Sequence, residues 1–173
     1  MAECEHAHEG PTGLTGRDLN HALTQADDRC VRAGERMTQP RRRALELLLE
    51  AGRPMKAYDL IDIFGEDGRA AKPPTVYRAL DFLSRQGLAH RIESLNAYVA
   101  CEMGERSHAA AFLICDCCGS AEEFDPETGP VTAVADAHNF VVRGINLEVR
   151  GRCQWCADDA KAGKLVSHAH GAA

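Results

Sequence analysis

The sequence predicts an α+β chain: a winged helix-turn-helix segment followed by a small α/β segment. Three observations carry that expectation. Two short helical patterns are separated by a glycine-containing turn, and the second opens on Pro73-Pro74 and ends at Gly87. Two short alternating runs follow immediately, as a wing would. Beyond them, a strand pattern runs into the first of two Cys-x-x-Cys pairs, and the stretch between the pairs contains one helical pattern and a second strand pattern. The expected organisation is a tail at 1–13, a winged helix at 14–101, an α/β segment at 102–157 and a flexible tail at 158–173.

The first tail contains Glu5-His-Ala-His, Gly10 and Pro11 without periodicity, and the last contains Ser167-His-Ala-His. From Arg17 to Ala33, Leu19, Ala22, Leu23, Ala26, Cys30 and Ala33 recur at helical spacing, which makes Cys30 a small apolar core residue. Thr38 has the character of an N-cap, with Pro40 in the first turn of a helix that runs through Ala44, Leu45, Leu48 and Leu49 to Gly52. Arg41, Arg42 and Arg43 crowd the start of that helix. Cations there oppose the helix dipole by about 0.3–1 kcal/mol each, and a bound phosphate would offset the cost.

A short helix is expected over 57–64, with Gly65 and Gly68 ending it. In the next helix Val76, Ala79, Leu80 and Leu83 form the buried stripe, leaving Thr75, Tyr77, Arg78 and Asp81 on the other side. Strands are expected at 88–93 and 96–100 around Ser94–Leu95. Further on, the pattern gives a strand at 110–114, a helix at 130–137 with Val131, Val134, Ala135 and His138 on one face, and a strand at 140–150. Residues 102–107 and 125–130 read as loops.

Charge is unevenly distributed. The chain carries a net charge of −6, yet residues 29–93 hold thirteen Lys/Arg against nine acids. The basic excess is confined to the helix-turn-helix segment, where a nucleic-acid footprint would lie. No apolar run approaches the roughly 18 residues of a membrane span, and the acidic N-terminus does not resemble a secretory signal, so a cytoplasmic location is expected. No nucleophile–base pair stands out, so an enzyme is not expected.

The cysteines are eight: Cys4, Cys30, Cys101, Cys115, Cys117, Cys118, Cys153 and Cys156. Without a signal sequence, metal binding is favoured over a disulfide framework. Cys115, Cys118, Cys153 and Cys156 can supply the closed tetrahedral shell of a structural zinc. Cys117 is a competitor that the spacing disfavours. His90, Cys101, His108 and Glu123 offer a second mixed donor set suited to Zn²⁺. Taken singly, each also fits a hydrogen-bonded surface residue or a buried thiol.

Met37-Thr-Gln-Pro-Arg, Ala57-Tyr-Asp-Leu, Lys72-Pro-Pro-Thr-Val-Tyr-Arg-Ala-Leu-Asp-Phe-Leu, Cys101, Ile114-Cys-Asp-Cys-Cys-Gly and the final Cys-x-x-Cys together resemble the ferric uptake regulator family, over about residues 18–157. The chain is most similar to the zinc-sensing branch. The resemblance implies a zinc-dependent repressor of zinc-uptake genes. It would act as a homodimer on a palindromic DNA operator, with no small-molecule substrate and two zinc ions per subunit. It places the structural zinc on Cys115, Cys118, Cys153 and Cys156, and the regulatory zinc on His90, Cys101, His108 and Glu123. It places DNA contacts on Tyr58, Tyr77 and Arg78. Gly144 and Arg150 stand where many members carry further histidines, so no additional site is implied there. The alternatives are an iron- or peroxide-responsive relative, against which the Cys101 thiol argues, and a cytoplasmic thiol-disulfide protein.

Overall fold

Helix α1 (Gly16–Arg32) turns Leu19, Leu23, Ala26 and Cys30 inward, each three or four residues from the last. Helix α2 (Gln39–Ala51) buries Ala44, Leu45, Leu47 and Leu48. It stops where Gly52 adopts a left-handed conformation (φ 56°) and returns its N–H to Leu48. The computed structural model describes residues 12–65, 72–101 and 109–162. The histidine-containing parts of both tails, Cys4, Gly68, His108 and the 102–107 loop therefore lie outside the described residues.

A two-residue strand, β1 (Met55–Lys56), precedes α3 (Ala57–Ile63). It is too short to show a period in the sequence, and it exists because Met55 and Lys56 pair with Tyr98 and Ala97. Helix α4 (Pro73–Arg85) packs Val76, Ala79, Leu80, Phe82 and Leu83 against α2 and α3. Gly87 (φ 62°) then turns the chain into β2 (Ala89–Ile92), which pairs antiparallel with β3 (Ala97–Ala100). Asn96, expected in the second strand, instead closes the turn at φ 47°, a conformation that asparagine tolerates better than most residues. Helices α1–α4 and the sheet β1-β3-β2 share one apolar core: a winged helix.

Leu14 belongs to that core and donates its N–H to the Leu49 carbonyl. A Cβ on Gly13 would meet the Glu50 carbonyl at 1.7 Å, so only glycine allows this approach.

The C-terminal sheet runs β5-β4-β6: β4 (Ala110–Cys115), β5 (Ala121–Glu123) and β6 (Asn146–Gly151). Strand β5 pairs antiparallel with β4, while β6 pairs parallel, from Ala110↔Asn146 to Cys115↔Gly151. A parallel partner needs a crossover, and α5 (Gly129–Ala137) lies within it. The expected strand at 140–150 begins only at Asn146, because β4 begins opposite that residue. Helix α6 (Gln154–Lys161) was not foreseen, and it carries order past residue 158, where the tail was expected to begin. It buries Cys156 alone, so it has no apolar stripe to read. Strand β5 is Ala-Glu-Glu and is equally featureless by pattern.

The two sheets meet. Ile92 and Val99 of the wing pack with Phe112, Ile114 and Ala121 of the C-terminal sheet in a second small apolar cluster.

Candidate metal centres and nucleic-acid face

The four-cysteine cluster is built by a tight turn and a helix start. Cys115 ends β4, and its N–H donates to Ser120 while its carbonyl accepts the Gly119 N–H. Gly119 (φ 73°) makes this knuckle possible, and Asp116 ties it to the end of β6 through Gly151. Cys153 sits at the N-cap position of α6, and Cys156 follows in the first turn. One sulfur from each of Cys115, Cys118, Cys153 and Cys156 lies within 4.8 Å of all the others. The Cys118 and Cys153 sulfurs are 3.9 Å apart. Four zinc–sulfur bonds of about 2.3 Å in a tetrahedron separate the sulfurs by about 3.8 Å, so the spacing suits that ion and is far too long for a disulfide.

The local electrostatics agree. Burial pushes the Cys115 thiol up, but N–H groups of Cys118, Cys153 and Cys117 aimed at it outweigh this and bring it down to about 7. Burial raises both Cys153 and Cys156, and their sulfur neighbours raise Cys156 further. One thiolate is favoured, and further ionisation in the same place calls for a cation.

The second cluster lies where the sheets meet. His90 is on β2, Cys101 follows β3 and donates its N–H to Leu88, and Glu123 ends β5 opposite Phe112. Their ligand atoms lie within 4.8 Å of one another, with His90 Nε2 2.9 Å from Glu123 Oε1. Both side chains are largely buried, and the His90 ring stands edge-on to Phe112 at 5.8 Å. Burial pulls the His90 pKa down; hydrogen bonding and charge from Cys101 and Glu123 outweigh it and push it up to about 9. An imidazole, a thiol and a buried carboxylate converging on one point form a donor set fit for zinc. The structure thus brings together three of the four residues expected here.

Tyr58 of α3 is 75% exposed, and Tyr77 and Arg78 of α4 project into solvent, with Thr75 half-buried at the start of α4. The arginines of α2 are placed differently from the expectation of a phosphate clamp. The Arg41 guanidinium lies 3.4 Å above the Phe82 ring and donates to the Arg36 carbonyl. Arg42 pairs with Asp27 of α1, and Arg43 with Glu46 at 2.7 Å. Acids and an aromatic face offset the dipole cost from within the fold, and two of these partners, Asp27 and Phe82, lie on other helices, where spacing along α2 cannot reveal them.

A winged helix joined through a histidine–thiol–carboxylate cluster to a sheet closed by four cysteines is the architecture of a metal-linked DNA-binding regulator. Residues 32–150 match the ferric uptake regulator family, and the chain belongs to it. It is 38% identical over 139 residues to the zinc uptake regulation protein of Escherichia coli (strain K12), covering 79% of this chain and 81% of that protein. Its fold superposes with a TM-score of 0.80 on a zinc uptake regulator complexed with zinc and DNA, at 36% identity, covering 84% of this chain and 99% of the other. The corresponding values for holo XcZur are 0.74, 42%, 80% and 99%. Among the described residues no helix is long and apolar enough to cross a membrane.

Proposed function

We propose that the chain is a zinc-dependent, DNA-binding repressor of zinc-uptake genes, acting in the cytoplasm as a homodimer and without catalytic activity. The observation that carries this reading is the position of the mixed cluster. His90 and Cys101 stand on the winged helix, and Glu123 on the C-terminal sheet. A ligand held by all three is held only in the orientation that brings the sheets together, so binding shifts that equilibrium. Zinc, when bound, supplies the dication that joins an imidazole, a thiolate and a carboxylate. His108 completes the proposed regulatory set, and the four cysteines take a second, structural ion, for two per subunit.

Tyr58, Thr75, Tyr77 and Arg78 are proposed to read a palindromic operator, while Arg42 braces α2 against α1 through Asp27 and Arg41 braces it against α4 through Phe82. Support for the dimer comes from uncovered apolar surface. Val131 and Val134 of α5 are 53% and 62% exposed, and Phe140, Val141, Leu147 and Val149 are exposed as well. Such a patch marks an interaction surface. The test is binding to operator-like DNA across buffered zinc, iron(II) and manganese(II) series. Tight binding with zinc at the lowest free concentration is expected, and an equal or better response to iron would overturn the assignment.

A further inference from the structure

Glu148, in the middle of β6, reaches across to the winged helix. Its carboxylate accepts the Glu93 N–H at 2.7 Å and the Ser94 N–H at 3.2 Å. These N–H groups open the β2–β3 turn, which Asn96 closes by donating to the Glu93 carbonyl. Burial raises the Glu148 pKa, but the donors from Ser94, Glu93 and Asn146 outweigh it and leave the carboxyl below its ordinary value.

The placement matters more than the bond. His90 holds one end of β2, and Glu93 lies just past the other, three residues and about 10 Å away at the usual strand rise. Between them, Ile92 packs on the C-terminal sheet. A metal at the His90 end is a single point about which the wing can still pivot. A second attachment at the Glu93 end fixes the direction of β2, and with it the attitude of α4, which leads directly into that strand.

We propose that Glu148 is a positioning residue: a metal-independent clamp on the wing turn that sets how much of the protein occupies the DNA-competent orientation before zinc binds. This rests on the zinc-repressor reading above. A ligand that selects a partly populated state shows an apparent affinity reduced by that state's population. Releasing the clamp therefore raises the zinc needed for DNA binding without touching a zinc ligand.

The experiment titrates operator-like DNA with the full-length protein over a buffered free-zinc series, comparing wild type, Glu148→Ala and Glu148→Gln. Zinc content and dimer mass are measured at saturation. A charge-assisted hydrogen bond of this kind predicts a midpoint roughly 3- to 10-fold higher in free zinc for Glu148→Ala. Glu148→Gln keeps an acceptor oxygen on the same stem and should fall in between. Zinc content and dimer should match wild type. If Glu148→Ala does not fold, the Gln shift alone decides. A wild-type midpoint in Glu148→Ala, or in Glu148→Gln where Ala fails to fold, overturns the clamp. So does a loss of bound zinc or of the dimer that accompanies the shift. Wild-type protein indifferent to zinc would instead overturn the functional reading.

Discussion

His90 Nε2 lies 2.9 Å from Glu123 Oε1, and the two residues come from different sheets. Cys101 completes the approach, so three donors from separate stretches of the sequence meet only when the winged helix rests on the C-terminal sheet. The contact couples a binding site to an orientation, whereas the four-cysteine cluster and the core contacts hold each part folded.

Cys153→Ser should lose the four-cysteine ion and with it the dimer. Structural zinc sites supply on the order of 10 kcal/mol of apparent binding energy, comparable to the whole net stability of a small domain. Metal content and mass by light scattering check this. A dimer of normal stability without zinc in this site would contradict the assignment.

Arg78→Ala should leave folding and zinc content unchanged, because the side chain projects from α4 into solvent. Operator binding should weaken by about 1–3 kcal/mol, with poorer discrimination against altered operators. Titration against a small panel of operator variants measures both effects; undiminished affinity and discrimination would remove α4 from the base-reading role.

Arg41→Ala should do the reverse. Its guanidinium covers Phe82, a fully buried ring, so the substitution should cost about 0.5–2 kcal/mol of stability. The salt dependence of DNA binding should stay as in wild type, since the charge is already engaged within the fold. Chemical denaturation and a salt series check the two halves. A reduced salt slope with unchanged stability would restore Arg41 to the phosphate-contacting set.

The contrast between Arg78 and Arg41 shows what the sequence made legible. Arg78 sits opposite Val76, Ala79, Leu80 and Leu83, so helical period alone exposes it. Arg41 lies near the start of α2 with no such constraint. Its partner Phe82 is on another helix, and pattern reading is blind to such pairings. The cysteine cluster was legible for a different reason: ligand type and two-residue spacing are properties of the chain itself. Strand β1 and helix α6 were missed because neither carries a period. One exists through pairing with β3, the other buries only Cys156. Glu148 was missed on the same grounds. Within an alternating strand it looks like any solvent-facing acid, and only the packed sheets show that it faces the Glu93 and Ser94 amides.

The central claim is that the mixed cluster couples zinc to DNA, and Cys101→Ser tests it most directly. The measurement is operator affinity at very low and at saturating free zinc, in wild type and in the variant, with dimer mass recorded alongside. Wild type should gain roughly 5- to 150-fold in DNA affinity with zinc, the range of ordinary coupling energies. Cys101→Ser should stay dimeric, because the four-cysteine site is intact, and should lose most of that gain. A zinc-stimulated increase of unchanged size in Cys101→Ser would contradict the account.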